Sequence, residues 1–193
     1  ALTLLLAAGI CSPTGASEPA VPGHVHHDLR IALDPMTRAL RGEDTITVVG
    51  GSGVELEMSA QFQVEQFTLD GKPVASNPDT EADGRAHWRL QPEGPGSHQV
   101  FLRYRARLAA LPDTDHRGTL QGLPPIADAR GSFLPGGTGW HPHVQGTTFT
   151  YRLALELPAG QRGLVPGRLV SETDTAQGYR AVFDFPFPAE SID

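Results

Sequence analysis

The sequence predicts an all-β fold, antiparallel and sandwich-like. Three observations point there. In the run Phe149–Leu157, Phe149, Tyr151, Leu153, Leu155 and Leu157 alternate with Thr150, Arg152, Ala154 and Glu156. A period of two places the first set on one face of a sheet. No stretch sustains helical spacing through three turns. The 193 residues include 22 Gly and 17 Pro, set between short alternating runs, which suits many strands joined by turns. The length allows one large β domain or two small ones with a real core.

The N-terminal residues differ in kind. Residues 1–11 read ALTLLLAAGIC, an apolar run too short to span a bilayer but of the length of a secretory hydrophobic segment. SPTGASEPAVPG follows, small, polar and Pro-rich, as a tether would be. Residues 1–17 therefore read as a signal-peptide-like segment and tether, with ordinary cleavage expected between Thr14 and Ser17. Cys11 stands where a lipoprotein cysteine would, although Ile10 before it is larger than the usual small residue. Both alternatives imply export, to the periplasm or cell envelope.

From His26 the pattern is β. Leu29, Ile31 and Leu33 alternate, Asp34-Pro35 makes a turn, and Leu40, Gly42, Asp44, Ile46 and Val48 alternate after it. Short runs follow at Val54–Met58 and Phe62–Leu69, with a tight turn at Asp70-Gly71. Ala86, Trp88 and Leu90 alternate, then Val100, Leu102, Tyr104, Ala106 and Leu108. Leu111–Gly131 has no clear period and reads as loop. After the strand at Phe149 comes a weak strand over Leu164–Val170, interrupted by Pro166, and a last alternating run of Tyr179, Ala181, Phe183 and Phe185.

Charge and composition exclude some functions. The net charge is −7 and Lys72 is the single lysine, so no basic patch exists to neutralise nucleic-acid phosphates. One cysteine rules out an internal disulfide framework and a cysteine-rich zinc site. No H-E-x-x-H, G-x-S-x-G, P-loop or G-x-G-x-x-G can be written in this sequence.

The remaining candidates are histidines and one aromatic. His24, His26 and His27 cluster at the first strand, where His24 and His26 would face one way and His27 the other. They read as exposed side chains at a strand start rather than metal ligands. His141 and His143 flank Pro142, which favours a loop. Trp140 and His141 are the candidate binding residues: the indole offers stacking area, the imidazole a donor or acceptor. The competing reading makes Trp140 a plug at the end of the sandwich. Gly136, Gly137 and Gly139 suit either a flexible turn or an anion-holding nest. Asp113, Asp115 and His116 read as a solvated surface rather than an acid–base pair.

The order of these features resembles the N-terminal domain of zinc aminopeptidases of the aminopeptidase N family. HHDLRIALDPMTRALRGEDTITV resembles its opening hairpin, and QFTLDGKPV its later strand and Leu-x-Gly-x-x-Val turn. SHQVFLRYRARL, GSFLPGGTGWHPH with TFTYRLALELP, and GYRAVFDFPFPAESID continue the match to Asp193. Typical members carry Phe-Pro-Cys-x-Asp-Glu-Pro where this chain has Phe133-Leu134-Pro135 and Trp140-His141-Pro142, so their substrate-touching residue is not carried over.

The resemblance implies that residues 24–193 form a saddle-shaped, non-catalytic β domain. Such a domain packs on its own catalytic domain and borders the peptide cleft. Zinc is implied for that following domain and none for this chain. Peptide would be the substrate of the whole, with Trp140 and His141 on the substrate side. The alternative from another class is a free-standing envelope β-sandwich binding module, and a scaffold without ligand is a third.

Overall fold

A computed structural model describes residues 23–50, 53–112 and 123–193. The signal-peptide-like segment, the tether and Cys11 lie outside the described residues, as do Asp113, Asp115 and His116. The described residues form fourteen strands and no helix. In chain order these are β1 (His24–Asp34), β2 (Ala39–Val49), β3 (Val54–Ser59), β4 (Gln63–Leu69), β5 (Lys72–Pro73), β6 (Asp79–Thr80) and β7 (Arg85–Leu90). There follow β8 (Ser97–Arg107), β9 (Ile126–Asp128), β10 (Gly131–Phe133), β11 (His143–Val144), β12 (Phe149–Leu157), β13 (Arg168–Thr175) and β14 (Gly178–Ala189).

An eight-stranded sheet runs β13-β14-β12-β1-β2-β8-β4-β5, and a four-stranded sheet runs β11-β3-β7-β6. β9 and β10 make a separate hairpin. The core lies between the sheets, as in a sandwich. Phe67 of β4 meets Trp88 of β7 edge to face at 5.7 Å, and Phe62 meets Tyr104 of β8 at 5.9 Å.

Local chemistry explains the central hairpin. β1 and β2 alternate buried and outward side chains throughout. Their turn is fixed by Asp34, whose carboxylate accepts the Met36 N–H at 2.9 Å and the Thr37 hydroxyl at 2.8 Å. Gly42 sits opposite Tyr104, and a Cβ there would lie 2.2 Å from the phenol ring. Only glycine leaves room for that ring. The Asp70-Gly71 turn joining β4 to β5 has positive φ at both residues, 50° and 76°. That is the left-handed pair a two-residue hairpin demands.

The alternation of β12 holds in three dimensions. Phe149, Tyr151, Leu153 and Leu155 are buried and Leu157 is partly buried against the same core. Tyr179, Ala181 and Phe183 of β14 lie buried opposite Leu157, Leu155 and Leu153.

Three features depart from the sequence reading. β1 pairs with β12 in parallel, with Leu29 opposite Leu153, while the other ladders between strands are antiparallel. Two strands so distant in sequence need no hairpin, so the local pattern cannot set their direction. The weak strand expected at Leu164–Val170 begins instead at Arg168. Pro166 lacks the N–H a ladder needs, and Gly167 turns the chain with a φ of 124°. All of β13 is exposed. Finally, Leu111–Gly131 is not all loop, since it holds β9 and the first residue of β10. Three residues are too few to show a period.

Candidate functional site

The segment Gly131–His143 crosses one edge of the sandwich and is pinned at several points. Thr138 donates its hydroxyl to the Pro135 carbonyl at 2.6 Å, closing a turn over the glycines. Arg85 donates to the Gly137 carbonyl. Gly139, at φ 70°, lets its backbone approach β3, where the Ser59 N–H donates to the Gly139 carbonyl at 2.9 Å. The Gly136 N–H donates to the Asp193 carboxylate. The glycines thus form a turn that holds an acidic group of the same chain.

Trp140 is buried at 2% exposure and its Nε1–H donates to the Ile192 carbonyl at 3.0 Å. It belongs to the buried cluster and also lines a groove of about 450 Å³. His141 is packed edge-on against Trp140 at 4.8 Å and against Phe149 at 5.6 Å. It borders a second, smaller cleft of about 130 Å³, with Glu57, Arg85, His143 and Glu190. The two candidate residues stand between two cavities, and neither side chain projects freely into solvent.

The electrostatics of His141 follow from its contacts. Its Nδ1 lies 2.8 Å from the Pro142 carbonyl. A carbonyl only accepts, so Nδ1 carries the proton and Nε2 is left as an acceptor. Burial, with the neighbouring His27 adding to it, pushes the His141 pKa down to about 3. The ring is therefore neutral near pH 7. His143 is also held below its ordinary value, mainly by burial, with Glu57 opposing the shift. Glu57 is fixed from both sides: Arg85 binds one oxygen at 2.9 Å and the Gln145 amide donates to the other at 3.0 Å.

Beneath this edge lies a pair that sequence reasoning missed. His27, read as exposed, is wholly buried, with its Nδ1 2.7 Å from Asp44 Oδ2. Its ring lies 4.6 Å from Phe149 and 5.8 Å from His141. His24 is exposed as expected, whereas His26 is half-buried, with its Nδ1 2.7 Å from the Thr150 hydroxyl. A signal was present. Asp44 occupies the core face of β2 among Leu40, Gly42, Ile46 and Val48, and a carboxylate there needs a buried partner.

Among the described residues, Glu81, Asp83 and His87 come close enough together to hold a cation. Both carboxylates are exposed, and Nδ1 of His87 accepts the Gln145 amide at 3.1 Å.

No family model matches the chain, and no curated protein matches it in sequence. Solved structures do match, and they show the fold: the chain is folded like part of M1 zinc metallopeptidases. One is a two-domain M1 zinc metallopeptidase, with TM-score 0.63 and 18% identity over 90% of this chain and 41% of that one. Another is an M1 zinc metallopeptidase from Deinococcus radiodurans, with TM-score 0.61 and 17% identity over 90% of this chain and 43% of the other. Yeast LTA4 hydrolase matches with TM-score 0.56 and 14% identity over 94% of this chain and 31% of its own. The chain spans less than half the length of each of these structures.

Proposed function

We propose that residues 24–193 are the non-catalytic N-terminal β domain of an exported zinc metallopeptidase of the aminopeptidase N type. One observation carries this reading: two-domain M1 zinc metallopeptidases match over 90% of this chain but only 41% of theirs. In this reading the domain packs on its own catalytic domain, and its Gly131–His143 edge borders the peptide cleft. His141, with a free acceptor beside the small polar cleft, faces the substrate side, and Trp140 supports it from behind. Zinc belongs to the following domain, where it would polarise the scissile carbonyl and activate water. Export to the periplasm or cell envelope rests on the character of residues 1–17 alone.

The test begins with the coding sequence beyond Asp193. An H-E-x-x-H downstream, about one zinc per full-length chain and hydrolysis of aminoacyl arylamides would support the proposal. The isolated 193-residue chain should hydrolyse nothing and retain no stoichiometric zinc after dialysis. A stop codon after Asp193, or a zinc-free full-length product, would favour the free-standing envelope binding module instead.

A further inference from the structure

The cleft of about 130 Å³ beside His141 contains an acceptor with nothing to accept from. His141 is 5% exposed, and its Nδ1 is committed to the Pro142 carbonyl at 2.8 Å. Its Nε2 keeps a lone pair and has no partner among the described residues. Nor is that atom sealed in the core. The buried side-chain atoms left without partners belong to His27, Asp44, His87, Trp88 and Tyr104. Nε2 of His141 therefore opens on the cleft that its ring lines. A ring so tightly held presents a fixed acceptor to a small cavity.

The rest of the lining says which donor fits. Glu57 is shared between Arg85 and Gln145, and Arg85 also donates to the Gly137 carbonyl. Those groups are satisfied within the chain. Glu190 lines the same cleft, is exposed, and forms no ion pair among the described residues. Two carboxylates thus face one guanidinium, and the excess negative charge stands beside an unpaired acceptor. An anion is repelled there, and a cation bearing N–H groups meets both. A bare metal ion needs several donors drawn closely together, which among the described residues only Glu81, Asp83 and His87 achieve. A primary ammonium needs no such convergence, because its N–H bonds point apart. An α-ammonium of a peptide carries a carbonyl on the next carbon, and that oxygen would want a donor where the guanidinium is already engaged. An unbranched alkylammonium, such as the end of a lysine side chain, carries none.

We propose that this cleft binds an alkylammonium group, which donates one N–H to Nε2 of His141 and another to the Glu190 carboxylate. Every residue of the site belongs to this chain, so the proposal goes beyond the metallopeptidase reading and does not depend on it.

The experiment titrates the nitrogen-15-labelled 193-residue chain near pH 7 with butylammonium chloride and follows the imidazole nitrogens of His141 and His143. A ligand of so few atoms binds in the millimolar range at best. Butylammonium should move the Nε2 resonance of His141 saturably. Tetramethylammonium, with the same charge and no N–H, should leave it in place at equal ionic strength. Glu190→Gln should weaken butylammonium binding about fivefold. Its position is exposed, so its amide spectrum and urea midpoint should match the wild type. Two further probes identify the source. Equal binding of Nα-acetyl-lysine amide assigns the cleft to a lysine side chain, and binding of butylammonium alone assigns it to a free amine. The proposal is overturned by the lack of a saturable shift, by an equal shift with tetramethylammonium, or by binding that is unchanged in Glu190→Gln. Tighter binding of glycinamide than of butylammonium would give the cleft to an α-ammonium and overturn it as well. Zinc content and hydrolysis by the full-length gene product are read separately. An unoccupied cleft in a zinc enzyme sinks only this inference, and a cleft that binds butylammonium in a zinc-free product sinks only the metallopeptidase reading.

Discussion

Nδ1 of His27 and Oδ2 of Asp44 stand 2.7 Å apart, with both side chains wholly removed from solvent. They lie on β1 and β2 as diagonal neighbours, His27 opposite Ile46 and Asp44 opposite Leu29. The other face of the imidazole packs on Phe149 and His141. The pair therefore joins the central hairpin to the Gly131–His143 edge.

Asp44→Leu should be among the most damaging single changes in the domain. It leaves the His27 Nδ1 buried without its partner, and stranding a buried polar group in this way costs about 1–3 kcal/mol. His27→Leu combined with Asp44→Leu should recover much of that loss, because no polar group is then stranded. Urea denaturation of the two single variants and the double one measures the coupling. Additive losses would show that the two side chains do not act as a pair.

Tyr104→Phe should be neutral or stabilising. The Tyr104 hydroxyl is buried with no hydrogen-bond partner among the described residues, and burial pushes its pKa well up. Removing an unsatisfied buried polar group relieves about 1–3 kcal/mol of desolvation. A loss above about 1 kcal/mol in the urea midpoint analysis would mean the hydroxyl is bonded in solution.

Trp140 separates packing from recognition. Trp140→Ala should cost about 3–5 kcal/mol, as for other buried aromatics. Trp140→Phe keeps most of the ring but loses the bond to the Ile192 carbonyl, about 1 kcal/mol. In the full-length protein, activity per folded molecule of Trp140→Phe then tells whether the indole matters to substrate. An alanine variant that melts like the wild type would contradict the burial of this side chain.

The clamp at His98 predicts a loss of stability on the alkaline side. Its Nδ1 faces Asp70 Oδ2 at 2.8 Å and its Nε2 faces the Gly94 carbonyl at 3.0 Å. Two acceptors call for two protons, and the pKa is raised, first by the hydrogen bond to Asp70. A raised histidine gives its full stabilisation below the ordinary value of 6.5 and loses it as pH climbs through the folded value. Asp70 is lowered, first by the Gln99 N–H, so its share is present above the ordinary value of 3.8 and fades in acid. Denaturation midpoints should therefore fall above pH 6.5 in the wild type, and His98→Gln should flatten that decline. An unchanged slope in the variant would dismiss the clamp.

His141 acts in the opposite direction. Its folded pKa of about 3 lies below the ordinary 6.5. Between those values the unfolded chain binds a proton that the native ring refuses, so stability falls as pH falls, by up to about 1.4 kcal/mol per pH unit. His141→Phe should lessen the slope measured from pH 6.5 down to about 4.5, a window above the ordinary carboxylate range. Identical slopes would mean that the ring is open to protonation in the native state.

The sequence by itself determined the strands and their faces. Alternation is a local property, and at β1, β2, β7, β8, β12 and β14 it fixed which side chains turn inward before any partner strand was known. The Asp34-Pro35 and Asp70-Gly71 turns were equally local, since they depend on side-chain capping and positive φ within a few residues. Partnership was decided only by the tertiary structure. The period of two says that Leu29 and Leu153 face the core, but not that their strands run parallel. It places Asp44 inward without naming His27, 17 residues away, as its partner. It leaves Trp140 open as plug or ligand surface, because its anchor at Ile192 lies 52 residues further on. A local pattern encodes orientation, and the groups that satisfy a buried donor or carboxylate are supplied by whichever distant strand the topology brings alongside.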